Sequence, residues 1–237
     1  MKPTPSYSYP SAENKGWPDS LAAMADAAFF ALQQAGCGDE QADTLTRVAI
    51  DALKGKYGGR QIYLPRLEPL ATFWQEWEVV WQSRLDTHGE IAERLHLTRE
   101  QVVDIVKAWA ELPDRERGLR GGAGRWKSVL RNMADTVAAA FEGVALNPER
   151  SHHLTHALLQ SITSTFRSSN FYLPKGDSLK RWWRDCEIYC QSGRVSIEEL
   201  AEKYNLTNMR IYQIQQAQAT LRRRDRQAQE AAERGAP

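Results

Sequence analysis

Ten groups of residues in this chain recur at one fixed spacing. Trp17, Leu21, Met24-Ala25-Asp26, Leu45-Thr46, Tyr63-Leu64-Pro65, Leu70, Trp74, Gln82-Ser83, Ala92-Glu93 and Leu97-Thr98 all have second copies. These are Trp126, Leu130, Met133-Ala134-Asp135, Leu154-Thr155, Tyr172-Leu173-Pro174, Leu179, Trp183, Gln191-Ser192, Ala201-Glu202 and Leu206-Thr207, each 109 residues further on. The period is too long for a solenoid unit and suits a small domain. A register that needs no gap from Trp17 to Trp109 marks a duplicated domain. Two copies in one chain predict a monomer with internal pseudo-two-fold symmetry, in which one polypeptide takes the place of a homodimer. The expected organisation is a disordered arm over 1–16, a first repeat over 17–109, a Gly/Arg-rich linker over 110–125, a second repeat over 126–218 and a charged tail over 219–237.

Composition narrows the class. The longest apolar run, Leu21–Leu32, is short for a bilayer span and is interrupted by Asp26, so no membrane association is expected. Cys37, Cys186 and Cys190 make an odd set without a disulfide framework, which predicts a reduced, cytoplasmic protein. The formal net charge is +1, unevenly spread. Residues 17–109 carry nine Lys/Arg against 14 Asp/Glu, residues 126–218 carry 11 against nine, and the tail carries five against three. A polyanion would therefore favour the C-terminal half. No nucleophile–base constellation, Walker loop or carboxylate dyad is present, so neither an enzyme nor a cofactor is expected.

Each repeat reads as mainly α. Leu21, Met24, Ala25, Ala28 and Leu32 share one helical face, as do Leu130, Met133, Ala134, Val137 and Phe141. A second helix follows through Leu45, Val48, Ala49 and Leu53, matched by Leu154, Ala157, Leu158 and Ile162. Then comes a short extended stretch that Pro65 or Pro174 closes. A single strand per repeat is not stable alone. Pairing Ile62, Tyr63 and Leu64 with Phe171, Tyr172 and Leu173 would make a two-stranded ribbon joining the copies. A third helix carries Trp74, Trp77 and Trp81 in the first repeat, where core packing is the default reading for these rings and for Trp109. The second repeat replaces Trp77 and Trp81 by Cys186 and Cys190, read as small buried thiols, and His152 and His156 lack the further ligands a metal site needs.

The end of each repeat reads as a helix-turn-helix, over 87–109 and 196–218. Ser196 with Glu199, and Thr87 with Glu90, form capping-box patterns. Ala201 and Ala92 are small enough for a close helix crossing, and Asn205 and His96 fall at the turn, where a left-handed residue is expected. The second helix would enter the major groove. Its candidate base readers are Asn208, Met209, Arg210, Gln213 and Gln216 in the second repeat, and Arg99 and Gln101 in the first. Glu100 and Asp104 in the first repeat would repel phosphates. Thr207, Lys175, Lys180, Arg181, Arg184 and Arg66 are candidate phosphate contacts, which set position rather than sequence.

These motifs resemble the Mor transcription activators of Mu-like phages. That family's pattern has two dimerising helices, a Gly-Gly stretch, a strand ending in Tyr-aliphatic-Pro-Lys, a basic helix with an Arg-Asp pair, and a helix-turn-helix. The second repeat has Tyr172-Leu173-Pro174-Lys175-Gly176, Arg184-Asp185 and Glu199-Leu200-Ala201-Glu202-Lys203-Tyr204-Asn205-Leu206-Thr207. The first has Gly58-Gly59-Arg60-Gln61-Ile62-Tyr63-Leu64-Pro65-Arg66 and the weaker Ile91-Ala92-Glu93-Arg94-Leu95. It departs from the pattern at Gln75-Glu76, where the second repeat has Arg184-Asp185, and the second has Arg167-Ser168-Ser169 in place of the glycines. The resemblance implies a sequence-specific activator that binds double-stranded DNA and recruits RNA polymerase, here with both halves of the dimer in one chain. Two alternatives stay open from the residues alone. One is a co-regulator or antagonist whose acidic first repeat binds a protein; the other is a repressor using the same DNA contacts.

Overall fold

The computed structural model describes residues 17–112, 125–167 and 170–220. The expected arm, most of the linker and nearly all of the tail lie outside these residues. In chain order the elements are α1 (Trp17–Gln34), α2 (Asp39–Tyr57), β1 (Gln61–Tyr63), α3 (Leu67–Gln82), α4 (His88–Leu95), α5 (Arg99–Ala110), α6 (Arg125–Glu142), α7 (Pro148–Thr165), β2 (Asn170–Tyr172), α8 (Ser178–Gln191) and α9 (Ile197–Tyr204). A further helix, α10, covers 208–220. The protein is mainly helical, and its second set of elements follows the first at the spacing of the sequence repeat. Among the described residues no helix is long and apolar enough to cross a membrane.

The apolar stripes do what their spacing predicts. Leu21, Met24, Ala25, Ala28 and Leu32 of α1 are buried, as are Leu45, Ala49 and Leu53 of α2, and the two helices pack as a hairpin. The counterpart hairpin of α6 and α7 buries Leu130, Met133, Ala134, Val137 and Phe141 with Leu154, Leu158 and Ile162. Asn147 caps α7, its side chain accepting from Arg150 N at 2.7 Å, and Pro148 occupies the first turn, where its missing N–H costs nothing.

Sequence repeat and compact unit do not coincide. Among the described residues, one unit comprises 17–60 and 172–220; the other comprises those from 61 to 171. Each unit therefore joins the hairpin of one repeat to the third helix and helix-turn-helix of the other. In the first unit the exchange is sealed at Gly59 and Trp183. Gly59 N donates to Leu173 O at 2.6 Å. Gly59 has φ +80°, and a Cβ there would fall 2.2 Å from Lys175 Cε, so both conformation and space favour glycine. The Arg47 guanidinium of α2 lies 4.9 Å over the Trp183 ring of α8, and Arg47 also pairs with Asp43 at 3.0 Å.

The second unit uses the equivalent positions differently. Trp74 Nε1 donates to Thr163 Oγ1 at 3.3 Å, and the His156 ring lies 5.4 Å from the Trp74 ring. His152 of α7 is stacked between Trp77 and Trp81 of α3, at 4.1 and 4.4 Å, and its Nε2 donates to Glu78 Oε2 at 2.8 Å. Trp109 Nε1 donates to Glu76 Oε2 at 2.9 Å, and Lys127 pairs with the same carboxylate at 2.8 Å. Trp74, Trp77 and Trp109 are buried and Trp81 half-buried, so these rings are packing groups. The cysteines that replace two of them part company: Cys186 is buried, whereas Cys190 is exposed. The expectation of two buried thiols is corrected at Cys190, which sits one helical turn beyond Cys186.

β1 and β2 form a two-stranded sheet. Its burial follows the alternation of a strand with one covered face: Ile62, Leu64 and Leu173 are buried, and Tyr63 and Tyr172 are exposed. Gln61–Tyr63 and residues 170–171 belong to the second unit.

Burial pushes the His156 imidazole below its ordinary range, and its Nε2 has no hydrogen-bond partner among the described residues. The hydrogen bond from His152 holds the Glu78 carboxyl below the usual carboxylate range. A lowered histidine is neutral in the folded state while the unfolded chain takes up a proton near pH 6.5, so stability falls as pH drops below that value. The stabilisation from Glu78 is lost later, as pH falls below about 4.5. The melting temperature is expected to decline between pH 7.5 and 5.5, and His156→Gln is expected to flatten that decline. An equal decline in the variant, followed by circular dichroism, would remove His156 as its source.

Candidate nucleic-acid interface

The two helix-turn-helix elements are built by the same local chemistry. Ser196 opens α9 with a full capping box: Glu199 N donates to Ser196 Oγ at 3.2 Å and Ser196 N donates to the Glu199 carboxylate at 3.1 Å. Thr87 and Glu90 repeat the arrangement at α4. Asn205 ends α9 at φ 50°, ψ 53°, and His96 ends α4 at φ 54°, ψ 43°. Both are left-handed, a conformation asparagine adopts at little cost because its short side chain is tolerated there. The second helices start at N-caps Thr207 and Thr98; Arg210 N donates to Thr207 Oγ1 at 3.2 Å, and Gln101 N to Thr98 Oγ1 at 3.1 Å.

Below the second turn lies a small closed core of Ile188, Leu200, Ala201, Ile211 and Ile214, with Val195, Ile197, Tyr204 and Leu206 packed on it. Ile188 comes from α8, so the third helix is the floor on which α9 and α10 stand. A polar seam adds to this. Gln191 Nε2 donates to Tyr204 Oη at 3.2 Å, and Lys203 Nζ donates to Gln191 Oε1 at 3.0 Å. Burial raises the Tyr204 phenol above its ordinary value. The first element has the matching core of Val79, Ile91, Ala92 and Val102, with Val79 supplied by α3. Sequence reasoning missed the Gln191–Tyr204–Lys203 seam, in which Gln191 lies 12 and 13 residues from its two partners along the chain.

The expected readers are distributed as follows. Asn208, Met209, Arg210, Gln213 and Gln216 are all exposed on α10, and Arg210 Nη1 donates to Gln213 Oε1 at 3.2 Å. Arg99 and Gln101 are exposed on α5, but Gln101 is engaged with its own helix start, its Oε1 accepting from Thr98 N at 2.8 Å. Among the expected phosphate contacts, Lys175, Lys180, Arg181 and Thr207 are exposed and share one unit with α10; Arg66 is exposed at the start of α3 in the other unit. Thr207 accepts a capping bond through its oxygen, which leaves its O–H able to donate to a phosphate. Arg184 is half-buried and held by Asp185 through bonds of 3.0 and 2.7 Å. Phe171 lies in β2.

The second helices of the two elements differ in charge. Opposite the buried Ile211 and Ile214, α10 exposes Met209, Tyr212, Gln213 and Gln216. The same stripe of α5 is Glu100, Val103, Asp104 and Lys107.

The sequence pattern of the Mor transcription activator family matches residues 15–117 and again residues 124–229. The chain belongs to this family. It is a family of transcription activators and not of enzymes, and the chain has two of its regions in tandem. The chain is also similar to Mu-like prophage FluMu protein C of Haemophilus influenzae, 39% identical over 62 residues, which cover 26% of this chain and 86% of the relative. It is similar to the late transcription activator C of Escherichia phage Mu, 40% identical over 103 residues, covering 44% of this chain and 72% of the relative. No solved structure matches the chain.

Asn205→Val is expected to destabilise the second helix-turn-helix by about 1–2 kcal/mol, because a β-branched residue resists the left-handed region, whereas Asn205→Gly should be nearly neutral. Amide exchange across 196–218 reads both; equal protection in the two variants would count against the strain argument.

Proposed function

We propose that this Mor-family chain is a sequence-specific DNA-binding transcription activator that acts in the cytoplasm as a monomer with internal pseudo-two-fold symmetry. The observation that carries the reading is α10. It stands on a capped, left-handed turn over a closed core and exposes Asn208, Met209, Arg210, Gln213 and Gln216 together. Arginine pairs with guanine and Asn or Gln with adenine in the major groove. Lys175, Lys180, Arg181 and Thr207 supply phosphate contacts that fix register; Arg184 joins them from a half-buried position, paired with Asp185. Arg66, Arg99 and Gln101 are the candidates for the first repeat's contacts. The exposed tyrosines of the two strands, Tyr63 and Tyr172, belong to the ribbon and are available to a ligand. RNA polymerase is the expected protein partner of an activator, and the phage relatives support a role in a phage or mobile element.

A second reading concerns the first repeat alone. The outward stripe of α5 presents Glu100 and Asp104, whose carboxylates oppose a phosphate backbone and suit a basic protein surface. On this reading the first helix-turn-helix holds a protein while the second holds DNA.

Selection from a randomised duplex library by the full chain, at two salt concentrations, tests both. A two-part site with half-sites about one helical turn apart is expected if both helices read; a single half-site assigns reading to α10. Arg210→Ala should lose preference at one position by about 1–3 kcal/mol. Absence of any enrichment, with no retention at low salt, would retire the DNA reading.

The double variant Lys175→Ala, Arg181→Ala should weaken every duplex alike. It should also reduce the slope of log affinity against log salt by about 1.8, since each phosphate contact contributes about 0.9. An unchanged slope would take both side chains out of the phosphate contact set.

A further inference from the structure

Two large apolar side chains are exposed on a helix otherwise clothed in polar groups. Met209 is 68% and Tyr212 55% exposed, three residues apart on α10. A single exposed apolar residue needs no explanation. Two on one stripe, flanked by Gln213 and Gln216 and directed away from Ile211 and Ile214, do need one. The fold does not demand the pair: α5 is built on the same turn and the same core positions and has the charged Glu100 at the place of Met209, with only the smaller Val103, 41% exposed, at the place of Tyr212. Their place in the first two turns is the part of such a helix that meets base edges.

The major groove offers a side chain one apolar group, the 5-methyl of thymine. Resting on the DNA reading above, we propose that Met209 and Tyr212 read thymine methyl groups, so that α10 recognises T·A pairs by apolar contact beside the polar readers Asn208, Arg210 and Gln213. Methionine, flexible and polarisable, fits an irregular apolar surface. The face of the tyrosine ring offers a broad, rigid one at small conformational cost. Removing one buried methyl contact weakens binding about fourfold. Such contacts carry no charge, so this preference is expected to persist at salt concentrations that weaken the phosphate contacts.

The test uses the full chain and the duplex it selects from a random library. Each thymine is replaced in turn by deoxyuridine, which keeps the pairing edge and removes only the methyl. One or two replacements are expected to weaken binding about fourfold each. Met209→Ala and Tyr212→Ala should each abolish the thymine–uracil difference at one position, whereas Tyr212→Phe should keep it, because the ring and not the hydroxyl makes the contact. Selective binding with thymine and uracil equivalent everywhere would overturn the methyl reading and leave DNA recognition standing. A discriminating position that survives Tyr212→Ala and Met209→Ala together would overturn the residue assignment. Failure to bind any duplex would overturn both the inference and the function it rests on.

Discussion

The structure depends on each helical hairpin finding the tryptophan-bearing third helix of the other repeat. A two-helix hairpin with one apolar stripe per helix cannot cover itself. Here α2 closes on Trp183 through Arg47, and α7 closes on Trp74, Trp77 and Trp81 through Thr163, His152 and His156. Both closures join residues from different repeats. The helix-turn-helix elements follow from this, because Ile188 and Val79 on the third helices complete their cores.

The two closures show how one interface diverges while its framework stays fixed. The same pair of positions holds Arg47 against Trp183 in one unit and His156 against Trp74 in the other. A permanently charged guanidinium keeps its face on the indole and takes Asp43 as counter-ion. A buried imidazole gives up its charge instead. Where the second repeat has thiols at 186 and 190, the first has indoles that sandwich a histidine. At this position, therefore, one unit is indifferent to mild acid and the other is not.

Much of this was legible in the sequence because it rests on short-range rules. Capping boxes at Ser196 and Thr87, left-handed residues at Asn205 and His96, and the buried–exposed alternation of Ile62, Tyr63 and Leu64 all depend on neighbours within a few positions. The family resemblance was carried by the strand and helix-turn-helix motifs, and the matches across both repeats agree with it. What stayed hidden was non-local. A repeat that folds on itself and a repeat that trades hairpins with its twin satisfy the same apolar periodicity, so the division at residues 60–61 and 171–172 left no mark in the pattern. The engagement of Arg184 by Asp185 was hidden for a related reason: a motif shows that charges are adjacent, not which rotamer joins them. Cys190 departs from the expected burial because the position is not a core one: Trp81 at the matching place is itself only half-buried.

Fusion changes what a substitution can do. In a homodimer every altered residue appears twice, so the two heads stay identical and the complex has no front or back. In this chain Glu100 and Met209 occupy matching places on α5 and α10 and are encoded separately. Each of these helices has drifted without dragging the other along, and the result is two unlike heads in one chain. A symmetric reader can sit on a duplex in either of two equivalent orientations. If the chain reads DNA as proposed, unlike heads give it one preferred direction, and anything it holds beside the duplex inherits that direction.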